Sequence, residues 1–170
     1  MTDRVWAPWR MEFIRRPKQD GGAGCVLCGY LTVARERTTR LLARREHAYV
    51  VLNKYPYTSG HVMVVPRRHV SDLAELSDRE YDDLFRLVRG ALVSLRAATG
   101  AGGENLGVNL GTAAGAGIAD HVHVHIVPRF AGDNNFMPVI GDVRVMHEYL
   151  EATWDHLAPH FERLHEDPGA

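Results

Sequence analysis

Apolar residues gather in short runs along the middle of the chain, and these runs predict strands. The segments HAYVVLN, beginning at His47, and HVMVVP, beginning at His61, are separated by KYPYTSG, and they predict two antiparallel strands joined by a turn. ENLGVNL, beginning at Glu104, predicts a third strand. HVHVHIVPR, beginning at His121, alternates polar and apolar positions and predicts a fourth.

The pattern changes at Ser77 to steps of three and four residues, which predicts a long helix. SDRE has the form of a capping box, with Glu80 three residues after Ser77, and Gly100 offers a stop. We expect this helix to lie across the sheet and to bury one apolar stripe. The stripe consists of Tyr81, Leu84, Phe85, Val88, Leu92 and Leu95.

A second helix is predicted from about Met146 to His160. Together the elements predict an α+β fold, an antiparallel sheet with one main helix across it and a C-terminal helix. Its predicted apolar positions are Tyr149, Leu150, Trp154 and Leu157.

The chain length favours a single domain. Its 170 residues are 45% hydrophobic and 24% charged, enough to bury one core. We expect an N-terminal arm over 1–24 that packs through Trp6 and Trp9, a core over about 45–130, and a C-terminal extension over 131–170.

Net charge and targeting signals exclude several classes of protein. A net charge of -1 gives no field that would recruit nucleic acid or an anionic membrane. The start, MTDRVWAPWR, lacks the apolar centre of a signal peptide, and no apolar run approaches the roughly 18 residues that span a bilayer. We therefore expect a cytoplasmic protein with no nucleic-acid or membrane partner.

The three alternating histidines raise the question of chemistry. His121, His123 and His125 would share one face of a strand, opposite a face of Val and Ile that belongs to a core. A zinc site, a solvated sheet face and a nucleophilic site each fit this pattern. The preceding glycine-rich segment GTAAGAG favours the nucleophile, because backbone N–H groups can approach an anion there.

These motifs resemble those of a known superfamily. HVHVHIV resembles the His-φ-His-φ-His-φ-φ signature of the histidine triad superfamily, whose members hydrolyse or transfer nucleotides through a covalent nucleotidyl-histidine. VVLNKYPYTSGHVMVVPRRH is similar to its first hairpin, and the resemblance covers roughly 45–130. WAPWRMEF and GDNNFMPV resemble a bacterial branch close to diadenosine tetraphosphate phosphorylases. The resemblance implies a homodimer, or a higher homo-oligomer, paired through the main helix and an edge strand.

The resemblance also implies roles for individual residues. His123 would be the nucleophile, and His125 would contact the transferring phosphate. His61 matches a histidine that supports the triad by hydrogen bonding, and pairing within the sheet is an equally ordinary role for it. Asn53 matches a residue at the nucleoside, although an Asn that begins a turn fits as well. Asn109 matches an amide that binds phosphate oxygens, and a strand-end Asn is the alternative.

The glycine loop departs from the family pattern. Phosphorylases of this branch carry Gly-Ser where this chain has Ala116 and Gly117. Phosphate contacts would then come from backbone N–H groups of Ala116, Gly117 and Ile118. A preference for phosphate as the second acceptor is therefore open.

The cysteine pair in CVLC suggests a metal. Cys25 and Cys28 alone fit a zinc site, a redox pair or chance. His69 and His121 resemble the ligands that zinc-bearing branches of the superfamily use, which implies a structural zinc held by four protein ligands. The alternative is two reduced cysteines without metal, with His121 hydrogen-bonded within the triad.

Basic residues near the strand ends invite a second interpretation. Arg44, Arg45, Arg67 and Arg68 could form a phosphate patch, but we expect them to be solvated. Arg129, directly after the histidine segment, is a better candidate to contact a polyphosphate.

The favoured function is cleavage of dinucleoside polyphosphates of the diadenosine tetraphosphate type by nucleotidyl transfer to His123, with water or phosphate as acceptor. The partner would be a small-molecule nucleotide, with no organic cofactor. A nucleoside phosphoramidase and a nucleotide-binding sensor with little turnover are the alternatives.

Overall fold

The computed structural model describes residues 24–35, 37–133 and 148–165. Trp6, Trp9 and Met146, to which the sequence assigned roles, lie outside these residues. Five antiparallel strands form a single sheet in the order β1-β2-β3-β5-β4. They are β1 (Leu41–Arg44), β2 (Ala48–Leu52), β3 (Val62–Pro66), β4 (Gly103–Val108) and β5 (Val124–Arg129).

The predicted hairpin is confirmed as β2 and β3, which pair in regular register from Ala48↔Pro66 to Leu52↔Val62. The predicted third strand is β4, and it ends at Val108. Strand β1 was not predicted. It has only four residues, of which the first three are buried, so its sequence shows no alternation of polar and apolar positions. Its pairing with β2 is irregular between Leu41 and Ala43.

The predicted histidine strand begins later than expected, at Val124 rather than His121. Pairing between β3 and β5 stops at Val64↔Val124. Because Pro66 of β3 has no N–H, it cannot donate a ladder hydrogen bond further along. Of the three histidines, only His125 therefore lies within the strand.

Helix α1 (Val26–Gly29) is a single turn that contains Cys28. The long helix α2 (Asp78–Thr99) follows later in the chain. Ser77 and Glu80 form the predicted capping box, and Gly100 ends α2 with a φ of 63°, in the left-handed region that favours glycine. The buried stripe of α2 is rotated relative to the predicted one, since Tyr81 is exposed while Leu87 and Ala91 are buried. Buried positions of α2 are Leu84, Leu87, Val88, Ala91, Ser94 and Leu95.

The C-terminal helix α3 (Leu150–Phe161) is shorter than predicted. Tyr149 precedes it and is 86% exposed, so it does not belong to the apolar stripe. Trp154 Nε1 donates to the backbone carbonyl of Leu41 at 3.0 Å, which ties α3 to β1. None of the helices among the described residues is long and apolar enough to span a membrane.

The sheet separates two apolar layers. Helices α2 and α3 cover one face, where Leu84, Leu95 and Leu157 pack against Val64 and Ile126. The opposite face carries a smaller cluster that includes the segment before and within α1. Its buried members are Cys25, Leu27, Leu41, Tyr49, Val51, Met63 and Val65. This second layer brings the cysteines to the face of the sheet that α2 leaves open.

Candidate active site

His125 lies on the sheet face opposite the helices. It pairs in register with Met63 of β3 on one side and with Gly107 of β4 on the other. The alternate residues of β5, Val124 and Ile126, are buried in the helix-side core. The predicted separation of the histidine and apolar faces therefore holds within β5.

His123 precedes β5 and is 5% exposed. Its Nδ1 lies 2.9 Å from the backbone carbonyl of His121. A carbonyl only accepts, so Nδ1 carries the proton and Nε2 of the neutral ring holds the lone pair. Burial lowers the pKa of His123 from its usual value, which favours this neutral ring at neutral pH. The arrangement suits an imidazole that attacks through Nε2.

His61, at the start of β3, is fully buried and connects to His125. The backbone N–H of Tyr57 donates to His61 Nδ1 at 3.1 Å, so His61 Nε2 carries the ring proton. That Nε2 lies 3.0 Å from Nδ1 of His125. His125 Nδ1 therefore accepts, and its own proton resides on Nε2. The ring of Tyr57 stacks on His61 with centroids 4.7 Å apart.

Asn53 follows β2 and contacts the same histidine. Its backbone N–H donates to the His61 carbonyl at 2.9 Å, and its Oδ1 accepts from the backbone N–H of Tyr55 at 2.9 Å. Its Nδ2 lies 3.4 Å from both ring nitrogens of His61, so the amide lies across the ring. Asn53 thus begins the turn and contacts His61, and its predicted contact with a nucleoside stays a prediction.

The glycine loop leads from β4 to the histidines. Asn109 lies one residue past β4 and is half-buried. Gly111 and Gly115 have φ values of 74° and 82°, which only glycine adopts readily. The N–H of Ala116 donates to the Gly111 carbonyl at 3.3 Å, so of the three N–H groups predicted for phosphate this one already has an acceptor.

The other two predicted phosphate donors lie next in the chain. The N–H groups of Gly117 and Ile118 donate to no backbone carbonyl among the described residues. Ile118 packs against the cluster that contains Cys25. The loop is therefore fixed at its end nearest the histidines.

The four predicted metal ligands come together. The Sγ atoms of Cys25 and Cys28 and one ring nitrogen each of His69 and His121 all lie within 4.8 Å of one another. Nδ1 of His121 lies 3.4 Å from Cys25 Sγ and 3.5 Å from Cys28 Sγ, and Nδ1 of His69 lies 3.3 Å from Cys28 Sγ. Zinc–sulfur and zinc–nitrogen bonds at tetrahedral angles place sulfur and nitrogen about 3.6 Å apart, so the donor set fits zinc.

The surroundings of these ligands also fit a metal. His121 Nε2 donates to the carbonyl of Pro66 at 2.9 Å, which leaves Nδ1 unprotonated and directed into the cluster. His69 Nε2 lies 3.8 Å from a carboxylate oxygen of Asp120. Burial and the neighbouring Cys25 raise the pKa of the Cys28 thiol to about 11, so a cation would have to displace its proton.

The basic residues near the strand ends form hydrogen bonds and ion pairs within the protein. The prediction that they are solvated was wrong for Arg44 and Arg45. Arg44 donates to the carbonyls of Tyr30 and Val33, and Arg45 pairs with Asp83 at 2.7 Å.

The remaining arginines also have partners. Arg68 forms two hydrogen bonds with the carboxylate of Glu80, and Arg67 donates to the carbonyls of Arg45 and Glu46. Arg129 forms two hydrogen bonds with Asp133. Its charge is thus already paired, which weakens its case as a polyphosphate contact.

Tyr57 and Asp120 were not singled out from the sequence. Tyr57 belongs to the turn KYPYTSG, and only the folded turn places its ring on His61. Asp120 directly precedes His121, and a carboxylate beside a metal-binding motif is the one signal that could have identified it.

Comparison with known proteins places the chain among relatives with the same fold. The family model described as HIT domain matches residues 34–132. An "AP-4-A phosphorylase" from Mycobacterium tuberculosis is 37% identical over 165 residues, which are 94% of this chain and 85% of that protein.

Solved structures agree with this placement. A hypothetical histidine triad nucleotide-binding protein from Sulfolobus tokodaii is 25% identical, with a TM-score of 0.65, and the match covers 82% of this chain and 93% of that one. A zinc-bound histidine triad family protein from Mycobacterium smegmatis is 26% identical, with a TM-score of 0.59, over 85% and 97% of the two chains. The chain therefore belongs to the HIT family, the histidine triad proteins.

Proposed function

We propose that this protein cleaves dinucleoside polyphosphates of the diadenosine tetraphosphate type by transferring a nucleotidyl group to His123. The observation that carries the proposal is the hydrogen bond from His123 Nδ1 to the His121 carbonyl at 2.9 Å. It assigns the ring lone pair to Nε2, as an attacking imidazole requires. The name of the Mycobacterium tuberculosis relative, which is similar over 94% of this chain, supports the substrate class.

The reaction divides into two displacements at the α-phosphorus. His123 Nε2 forms a bond to phosphorus while the bond to the bridging oxygen breaks, and a nucleoside triphosphate leaves diadenosine tetraphosphate. Water or inorganic phosphate then breaks the nitrogen–phosphorus bond, which restores His123 and releases AMP or ADP. His125, whose proton lies on Nε2, would donate to the phosphate or the leaving oxygen.

Residues beside the triad would bind the nucleotide. We assign the nucleoside to Asn53 and the phosphate oxygens to Asn109 and to the backbone N–H groups of Gly117 and Ile118. The N–H of Ala116 can join them only if its 3.3 Å bond to the Gly111 carbonyl opens. His61 would keep His125 in the protonation pattern described above.

We also propose a structural zinc on Cys25, Cys28, His69 and His121. Two thiols and two imidazole nitrogens are a set that zinc prefers, and four protein ligands leave no position open for substrate. A zinc-bound member of the family with a TM-score of 0.59 supports the metal's identity. When bound, the metal would join the segment around α1 to the histidines.

The oligomeric state, domain organisation and location of the protein are also proposals. A homodimer formed through α2 and the edge strand β4 is supported by exposed apolar residues on both elements, Val93 and Leu106, each 49% exposed. We retain a single domain over 1–170, without nucleic-acid or membrane partners, and a cytoplasmic location.

The test is an incubation with diadenosine tetraphosphate, with and without inorganic phosphate, followed by separation of the products. We expect ATP together with AMP, ADP or both, and a His123→Ala variant that still binds nucleotide but gives no product. A short incubation quenched in alkali should show protein heavier by one adenylyl group in the parent and not in the variant. Unchanged turnover by His123→Ala would contradict the mechanism.

The alternatives give different results in the same assay. Preferential release of amine from a nucleoside phosphoramidate would indicate a phosphoramidase. Tight nucleotide binding without any product would indicate a sensor.

A further inference from the structure

We propose that the surface of β4 beside His125, formed by Gly107 and Asn105, receives the leaving nucleotide and its polyphosphate chain. Gly107 is then a residue that determines specificity for the leaving group, because a side chain there would occupy the space that the polyphosphate needs. We call Gly107 and Asn105 the leaving-group surface. The proposal rests on the function proposed above and adds the direction in which the substrate extends from His123.

The packing among the described residues does not explain a glycine at position 107. It lies in the interior of β4, where glycine weakens a strand. Its φ is not positive, and a Cβ at this position would meet no described atom within 4 Å. Gly90 differs, because a Cβ there would lie 2.6 Å from Leu164 Cδ2. A strand glycine without such a reason indicates the close approach of a ligand or of another backbone.

A side chain at position 107 would lie beside the ring of His125. The two residues are directly opposite in the register of β4 and β5, so their side chains project from the same face with Cβ atoms about 5 Å apart. Gly107 is exposed, which leaves this space open. A backbone that paired with the edge of β4 would approach in the plane of the sheet and would not need the space above the face. A ligand is therefore the better explanation.

Side chains fill the other side of His125. Met63, its neighbour on β3, is 8% exposed and belongs to the smaller apolar cluster. The ring of Tyr57 stacks on His61, and its centroid lies 6.1 Å from that of His125. Asn53, to which the retained nucleoside is assigned, also contacts His61. The leaving half of the substrate therefore has its free space over β4.

The next residue on this face of β4 supplies hydrogen-bond donors. Asn105 is exposed and lies two positions before Gly107, about 7 Å along the strand. Its Oδ1 accepts from Arg129 Nη1 at 3.0 Å, which directs the amide Nδ2 away from the arginine. Glu104, the one acidic residue of β4, is turned to the helix side and pairs with Arg96 at 2.8 Å. The leaving-group surface thus offers N–H donors to phosphate oxygens.

The same strand supplies a matched control. Gly103 lies on the same face of β4, and a Cβ there would also meet no described atom within 4 Å. It is four positions from Gly107, about 13 Å along the strand. Gly103→Val and Gly107→Val therefore add the same side chain to the same face, and only the second adds it beside His125. Valine favours strands, so neither variant should have a lower Tm than the parent.

The experiment compares two substrates that share the adenylyl group and differ in the leaving group. One is diadenosine tetraphosphate. The other is adenosine 5′-phosphofluoridate, in which His123 Nε2 bonds to phosphorus while the phosphorus–fluorine bond breaks and fluoride leaves. For Gly107→Val we expect kcat/KM for the dinucleotide to fall by about 10- to 100-fold more than kcat/KM for the phosphofluoridate. For Gly103→Val the ratio of the two values should equal that of the parent.

Binding is measured separately in the His123→Ala background, in which the proposed mechanism allows no turnover. There Gly107→Val should weaken the binding of diadenosine tetraphosphate more than the binding of AMP. If the parent turns over neither substrate, the proposed function fails, and this binding comparison still decides the leaving-group surface.

Several results would overturn the proposal. Equal losses with both substrates would place the clash at the α-phosphate, and an unchanged ratio would mean that the polyphosphate does not pass over Gly107. A lower Tm for Gly107→Val would show that the fold itself needs the glycine. A changed molar mass in light scattering, with the parental ratio of activities, would assign Gly107 to a contact between copies of the chain. Absence of dinucleotide binding would overturn the proposal as well.

Discussion

His61 Nε2 lies 3.0 Å from Nδ1 of His125, and the two rings are held in one protonation pattern by a backbone group. The pattern starts at the N–H of Tyr57, which can only donate and so makes His61 Nδ1 an acceptor. Each following nitrogen is then fixed in turn, which leaves a proton on His125 Nε2. A turn between two strands thus determines which ring nitrogen of the half-buried His125 carries the proton.

The first prediction follows from this relationship. His61→Ala removes the donor to His125 Nδ1, so His125 no longer holds its proton on Nε2. We expect kcat for diadenosine tetraphosphate to fall by about 100-fold, the scale of one general-acid contribution. Initial rates at saturating substrate measure it.

The control for this prediction is a histidine on α3, outside the candidate site. His156→Ala removes a hydrogen bond to the Ala98 carbonyl on the exposed side of α3, and its kcat should equal that of the parent. If His61→Ala also keeps the parental kcat, His61 is only a residue paired within the sheet.

Local signals made much of this fold predictable. Ser77, Glu80 and Gly100 defined both ends of α2, since capping depends on residues only a few positions apart. The start of β5 was missed because it depends on Pro66, which lies 58 positions before Val124. The pairing of Arg45 with Asp83 was missed for the same reason, since only the folded chain brings these residues together.

The candidate site was predictable to a similar degree. The alternation around His123 indicated a shared face, and the family resemblance supplied four candidate metal ligands, whose donor atoms the structure brings within 4.8 Å of one another. The stacking of Tyr57 on His61 was not predictable, because it depends on the three-dimensional path of the turn.

The second prediction concerns the start of α2. Glu80 accepts from Arg68 and from the Ser77 backbone N–H, and its side chain is only 14% exposed. The hydrogen bonds from Arg68 lower the pKa of Glu80 from 4.5 to about 2. Because the folded-state pKa is depressed, this stabilisation is present above pH 4.5 and is lost as the pH falls toward 2.

Glu80→Gln should therefore have a lower Tm than the parent at pH 7, and the difference should shrink steadily between pH 4.5 and pH 2. Thermal unfolding followed by circular dichroism across this range measures it. Glu46→Gln, at a side chain that is 77% exposed, should leave Tm unchanged. A Tm difference for Glu80→Gln that is the same at every pH would show that the ion pair does not cause it.

The third prediction concerns α3. Leu157 is fully buried in the helix-side core, so Leu157→Ala removes packed methyl groups and leaves a cavity. We expect a loss of about 2 to 5 kcal/mol in the free energy of unfolding. Urea unfolding measures it, and Tyr149→Ala, at a residue that is 86% exposed, should change stability by less than about 0.5 kcal/mol. A Leu157→Ala variant as stable as the Tyr149 control would mean that α3 does not pack on this core.

The last prediction concerns the second acceptor. Phosphorylases of the branch that this chain resembles carry a serine at the position of Gly117. Unlike Gly111 and Gly115, Gly117 does not have a positive φ. A serine should therefore fit without backbone strain, and its hydroxyl adds a donor for inorganic phosphate beside the predicted binding N–H groups. We expect Gly117→Ser to raise the ratio of ADP to AMP formed from diadenosine tetraphosphate in the presence of phosphate.

Ala113→Ser places the same hydroxyl at an exposed position of the same loop and should leave that ratio unchanged. In the proposed mechanism both products arise from one intermediate on His123, so the ratio isolates the second step. A parental enzyme that already forms only ADP would show that backbone N–H groups alone select phosphate, and the hydroxyl would then be unnecessary. An increase in AMP instead would mean that the added hydroxyl orients water, which would contradict its assignment to phosphate binding.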